Sequence, residues 1–189
     1  MNVRKTGLRW LLREHTAQTH HALDAKVSQL DMASVQGICA FLHGNALAHR
    51  ALLPFDNHFA GHMSRRDHLL RLDMEVLGMT TAIDSLSAQT IRAEAAPGYR
   101  YVIAGSAMGG RILAKRHAGS PDARVRGAGR FLNDPGLSEF WRDVQAELAT
   151  FPETGPETDA VLAGAEACFL LFDRAFEAAI RAMPEAVDG

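Results

Sequence analysis

Apolar residues recur at spacings of three and four along almost the whole chain, and no stretch alternates long enough to make a strand. The pattern predicts one all-α domain of about seven to nine helices spanning residues 1–189, with no linker, internal repeat or low-complexity tract. Thr6 to Val27 reads as a first long helix, with Leu12, Thr16, His20, Leu23 and Val27 in one stripe. Ser34 suits the N-cap of a second helix running to about Ala51, and Pro54 opens a short segment through Phe59. Ser64 is a cap for Arg65 to Leu77, which Gly78 ends. Thr80 to Ser87 is a short helical piece, and Ala95 to Gly98 a turn. His117 to Arg126 reads as an exposed loop and Gly127 to Leu132 as a short helix. Asn133 to Gly136 is a turn, followed by helices over Leu137 to Phe151 and Thr158 to Met183, with a frayed tail after Pro184.

One helix breaks the usual rules. Tyr99 to Arg116, YRYVIAGSAMGGRILAKR, carries Gly105, Gly109 and Gly110 inside an apolar helical run. Each interior glycine costs about 0.5–1 kcal/mol relative to alanine, so the three together cost roughly 2–3 kcal/mol. Positions 105 and 109 share a face, and stripping side chains there leaves a flat groove. Another helix or a flat ligand could lie in it.

Net charge is −2 with histidine neutral, which gives no support to a nucleic-acid or anionic-membrane partner. No apolar run approaches the roughly 20 residues that span a bilayer, and the N-terminus lacks the apolar core of a signal peptide. Cys39 and Cys168 lie within apolar helical patterns and form no CxxC, as expected of buried free thiols in a cytoplasmic protein.

Among the histidines, only His20 falls on the first helix's apolar stripe; His21 is turned about 100° from it, and His15 lies off it. Asp24 follows one turn later, within reach of an imidazole nitrogen. A carboxylate there could satisfy a core histidine, or hold one ring nitrogen and leave the other as a metal ligand. Nothing nearby completes a zinc or di-iron set, which leaves the single axial histidine of a haem site as the metal reading. A porphyrin held by one histidine needs a flat wall, and the glycine helix offers one. Its carboxylates would want cations or phenols at the mouth: Arg13 first, with Tyr101, Arg111, Lys115 and Arg142 as further options, each of which also suits a plain surface position. Phe169, Phe172 and Phe176 are helically spaced and suit core packing or the lining of a pocket.

These residues have a family likeness. LREHTAQTHHALD, from Leu12 to Asp24, resembles the proximal helix of the haem oxygenases: Leu-Arg, a Thr, the axial His four later, then Leu and an acid. YVIAGSAMGG, from Tyr101 to Gly110, is similar to their distal helix in its bacterial form. LLRLDMEVLG ending at Gly78, Phe140 to Arg142, and ACFLLFDRAF from Ala167 to Phe176 resemble further segments in the same order. The resemblance implies stacked helices with haem between the proximal and a kinked distal helix. It implies oxidative opening of haem to biliverdin with release of iron and carbon monoxide, haem being both substrate and cofactor. Carried over by position, His20 is the iron ligand and Asp24 its orienting partner. Gly105, Ser106, Gly109 and Gly110 form the distal wall, the first three nearest the chemistry. Arg142 falls near where some relatives hold a propionate, a weaker transfer that needs a gap in the alignment; beside it the reading of the residues themselves keeps Arg13 and Tyr101 as propionate contacts and Phe169 as a pocket residue. An external electron donor, a ferredoxin or flavin reductase, is implied, and the biliverdin could supply a bacterial phytochrome. Ala104 and Ser106 depart from the family, where acids are common. That departure keeps open a haem or tetrapyrrole carrier or sensor without catalysis, and the glycine face alone keeps open a helical protein that binds no haem.

Overall fold

The computed structural model describes residues 6–80, 86 and 90–183, Ala107 and Met108 by their backbone only, and among these it contains eight α-helices and no strand. They are α1 (Leu8–His15), α2 (Ala17–Ser28), α3 (Val35–Leu52), α4 (His62–Val76), α5 (Ala96–Ala118), α6 (Ala123–Gly127), α7 (Gly136–Leu148) and α8 (Pro156–Ala182). The expected all-α class is the observed one. Among the described residues no helix is long and apolar enough to cross a membrane.

Helix α8 is the post of the assembly. Its apolar positions are too broad for one stripe, and Val161, Ala165, Cys168, Leu171, Phe172, Ala175 and Phe176 are all buried. Helices α1, α2, α3 and α5 lie against it, α7 packs on α5, and α4 on α3. Where α5 crosses α8 the backbones touch. A Cβ on Gly98 would stand 2.0 Å from the Val161 carbonyl oxygen, and one on Gly164 would stand 2.2 Å from that of Ala95. Only glycine at both positions permits this approach.

Several boundaries differ from the sequence pattern, each for a local reason. The first long helix is two, α1 and α2, bent at Thr16 (φ −94°, ψ 6°). The buried Thr16 hydroxyl donates to the Leu12 carbonyl at 2.7 Å, a back-bond of the kind that bends helices. Helix α4 starts at His62 rather than after a Ser64 cap, because the Asp56 carboxylate accepts from the Met63 and Ser64 amides at 2.9 and 3.2 Å. Ala95 to Gly98 is not a turn: Pro97 sits in the first turn of α5, where its missing N–H costs nothing. His117 belongs to α5 and is buried, and the short helix expected at 127–132 lies earlier, at Ala123–Gly127. The helical piece expected from Thr80 to Ser87 falls almost wholly outside the described residues, as does the frayed tail. The α3 cap forms as expected, with the Ser34 hydroxyl oxygen accepting from the Gly37 amide at 3.0 Å.

Candidate functional site

Against α8 the helices leave a cavity of about 210 Å³ with an open mouth. Each wall has its own character, and the character follows from the sequence of the element that supplies it.

Helix α5 gives Tyr101, Gly105, Ser106, Gly109, Gly110 and Leu113 to the cavity. A Cβ on Gly109 or Gly110 would meet nothing within 4 Å, and one on Gly105 would meet only the Trp141 ring, at 3.6 Å. Gly109 and Gly110 therefore pack against no helix among the described residues, and Gly105 meets only the Trp141 ring of α7, so most of the groove stays open. The Ser106 hydroxyl donates back to the Ile103 carbonyl at 2.7 Å, so toward the cavity it offers an acceptor rather than a proton. Ala104 is fully buried and does not line the cavity.

Helix α2 gives His20, Leu23, Asp24 and Val27. The His20 Nδ1 lies 3.1 Å from an Asp24 carboxylate oxygen, the orienting contact that the four-residue spacing predicts. With ionised Asp24 as acceptor, the proton sits on Nδ1 and Nε2 keeps a lone pair. The Phe169 ring of α8 stands edge-on at 5.3 Å between centroids. One premise is corrected: Leu12 and Thr16 are buried, but the His20 side chain is 50% exposed, so the stripe runs out of the core and into the mouth. His21 does not line the cavity.

The inner wall is polar in a way that the sequence pattern missed. Asn45 and His49 of α3 and Arg66 of α4 line it, all three buried. His49 Nδ1 is 2.8 Å from the Asn45 carbonyl oxygen, and Arg66 Nε donates to His49 Nε2 at 3.1 Å. A carbonyl only accepts and a guanidinium only donates, which fixes His49 as the neutral Nδ1–H tautomer. Burial, with the Arg66 charge beside it, pushes His49 down to about 3. Arg66 is itself pushed down to about 10 by burial, opposed by Asp134, whose carboxylate also holds Arg65 at 2.7 Å. The Arg66 guanidinium stacks 4.0 Å from the Phe131 ring centroid, and Nη2 meets no acceptor among the described residues. Buried Asp73 accepts from the Arg130 and Phe131 amides at 3.1 and 2.8 Å, holding Phe131 against the cavity.

Of the expected site residues, His20, Asp24, Tyr101, Gly105, Ser106, Gly109, Gly110 and Phe169 line this one cavity, and Arg13 and Arg142 do not. Arg13 is exposed, its guanidinium 5.5 Å from the Trp10 ring centroid. It is close enough to act on Tyr101, whose phenol is raised by burial and lowered in part by the charges of Arg13 and Arg9. Arg142 is exposed on α7. Arg111 and Lys115 are exposed on α5 and do not line the cavity. Among the described residues no three His, Cys, Asp or Glu side chains converge, so His20 is a lone candidate metal ligand.

In comparison with known proteins, no family model matches the chain and no curated protein matches it. The chemistry of the cavity must therefore speak alone. It offers a flat apolar slot, one imidazole nitrogen at the mouth, and a buried guanidinium at the inner end.

Proposed function

We propose that the chain is a haem oxygenase, opening haem oxidatively to biliverdin, ferrous iron and carbon monoxide. The observation that supports this most is that His20 and the three glycines, singled out in separate stretches, line one cavity. The donor set fits a porphyrin: a lone imidazole with a carboxylate-held tautomer, and a glycine floor where added side chains would meet open space. Bound haem would supply the oxygen-activating iron and, as substrate, the ring that is oxidised.

The chain's own residues then have separate tasks. His20 would hold the iron through Nε2 while Asp24 keeps the proton on Nδ1 and fixes the orientation of the ring. Gly105, Gly109 and Gly110 would let the backbone approach the porphyrin face. The Ser106 oxygen can accept from a water. Neutral His49 is a fixed wall, since both its nitrogens are engaged. The Arg66 Nη2 is left to donate to a water or ligand atom at the inner end. Tyr101 with Arg13 beside it forms the anion-accepting edge of the mouth, and Arg142 keeps the weaker position that resemblance alone assigns it. Electrons come from a separate donor such as a ferredoxin or flavin reductase.

Hemin titrated into the protein should give a Soret band that His20→Ala loses or shifts. Ascorbate in air should then convert the wild-type complex to the broad red absorption of biliverdin. Absence of a Soret change in the wild type sinks the proposal. A second reading, a haem or tetrapyrrole carrier, draws on the Ser106 hydroxyl, whose proton is spent on the helix backbone. Hemin binding without ring opening would select it.

A further inference from the structure

The inner end of the cavity carries a cation that its neighbours do not neutralise. Arg66 is 3% exposed, yet only part of its guanidinium is engaged. The Phe131 ring covers its face at 4.0 Å, Nε donates to His49 Nε2 at 3.1 Å, and Nη1 reaches an Asp134 oxygen at 3.4 Å. Nη2 meets no acceptor among the described residues. It is not sealed either, since among those residues only His117 Nε2 is a fully buried side-chain polar atom without a partner. Arg66 lines the cavity, so the surface that Nη2 keeps is cavity surface. Asp134 is shared unevenly. Its Oδ1 accepts from Arg65 Nη2 at 2.7 Å, Arg65 Nε at 3.1 Å and the Gly136 amide at 3.0 Å, while Arg66 reaches only Oδ2, at the longer distance. Two guanidiniums on one carboxylate leave one positive charge over. Arg65 is half exposed and has water for its share; Arg66 has none. The other groups nearby offer no negative charge. His49 is neutral, the Asn45 amide donates to the Phe41 carbonyl at 2.9 Å, Asp73 is taken by Arg130 and the Phe131 amide, and Asp24 stands at the mouth beside His20. A buried charge with half a partner is costly, and a ligand that completes the pairing removes that cost.

We propose that the inner end of the cavity binds a small monovalent anion, a halide or a carboxylate the size of formate, on Arg66 Nη2. The inference goes beyond the haem reading and does not depend on it. A water could accept from Nη2 but would leave the charge uncompensated, whereas an anion answers both needs. The excess is a single charge, so a divalent anion, which would also feel Asp134 behind the guanidinium, fits less well. Phe131, His49 and Asp134 fix the guanidinium before the anion arrives, so little side-chain freedom is lost on binding. There is room as well: the cavity holds about 210 Å³ and opens to solvent at its mouth. The carboxylate of a larger guest would meet the same guanidinium, so the test uses free anions on the hemin-free chain.

Crystals of the hemin-free chain soaked in sodium bromide provide the first measurement. Anomalous scattering should place a bromide at hydrogen-bond distance from Arg66 Nη2. In solution, bromide exchanged for gluconate at constant ionic strength should raise the melting temperature of the wild type to a plateau. Arg66→Met should raise the half-saturating bromide concentration at least about tenfold, the loss of one charge-assisted contact. If Arg66→Met does not fold, the wild-type diffraction decides alone. Bromide peaks confined to the protein surface, an adventitious ion only, overturn the proposal, as does an equal bromide response in Arg66→Met. Neither measurement contains hemin, so a failure here falls on the anion site and a failure to take up hemin falls on the functional reading.

Discussion

The two halves of α5 use glycine for opposite ends. In the first half Gly98 is where the helix meets α8, with backbone atoms 2.0–3.0 Å from the place a Cβ would take. In the second half Gly109 and Gly110 face nothing within 4 Å, and Gly105, just before mid-helix, meets only the edge of a tryptophan. The helix propensity lost is the same in both halves, about 1 kcal/mol per residue. In the first half it is offset by close packing with Gly164 of α8. In the second half no contact within the described residues offsets it. The comparison teaches that glycine in a helix is uninformative until the neighbour is known, and that a glycine without a neighbour points to something outside the chain.

The contrast can be broken in four ways. Gly98→Val drives a side chain into the backbone of α8 and should cost about 3 kcal/mol or more, at the upper end of overpacking. For a chain of this length that is a fall in melting temperature of roughly 6–12 °C, read by circular dichroism. An unchanged melt would mean that the helices part without penalty.

The two cavity histidines provide the next test, one half-exposed and one sealed. His49 sits near 3 when folded, against an ordinary 6.5. Between these values the unfolded chain binds a proton that the folded chain refuses, so stability is full above pH 6.5 and drains as pH falls toward 3. The slope is about 1.4 kcal/mol per pH unit, hence roughly 2–3 kcal/mol between pH 6 and 4. Urea midpoints at the two pH values should show that loss in the wild type, and a loss smaller by that amount in His49→Leu.

Filling the open half is milder. Gly109→Leu should leave the melt intact yet weaken hemin binding about tenfold, roughly 1.4 kcal/mol, by optical titration. If the melt drops as in Gly98→Val, the two halves are alike after all. The smallest effect is that of Gly109→Ala, which should raise stability by about 0.5–1 kcal/mol through helix propensity alone, roughly 2 °C in a melting curve.

Most of the fold was legible because local chemistry decides it. Ser34 caps α3, and the apolar pattern of α8 outlines a helix that runs within two residues of its expected span. The His20–Asp24 contact follows from helical spacing, which holds whatever the tertiary surroundings. The Asp56 cap of α4 was hidden because it acts across a 3-10 turn, Leu53–Phe59. The Gly98–Gly164 crossing was hidden because only tertiary packing brings two distant glycines together. The His49–Arg66–Asp134 chain comes from three elements, and each member alone reads as surface. One signal was available: Phe41, Asn45 and His49 recur every four residues along a helix whose other positions are mainly apolar.

The helix that carries His20 is also the least anchored. None of the twelve residues of α2 is fully buried, whereas α3 beside the inner wall is buried along most of its length. Few buried apolar contacts mean a small free energy of local opening, so the amides of α2 should exchange with deuterium well before those of α3. The cavity thus has a loosely held side and a firmly held side.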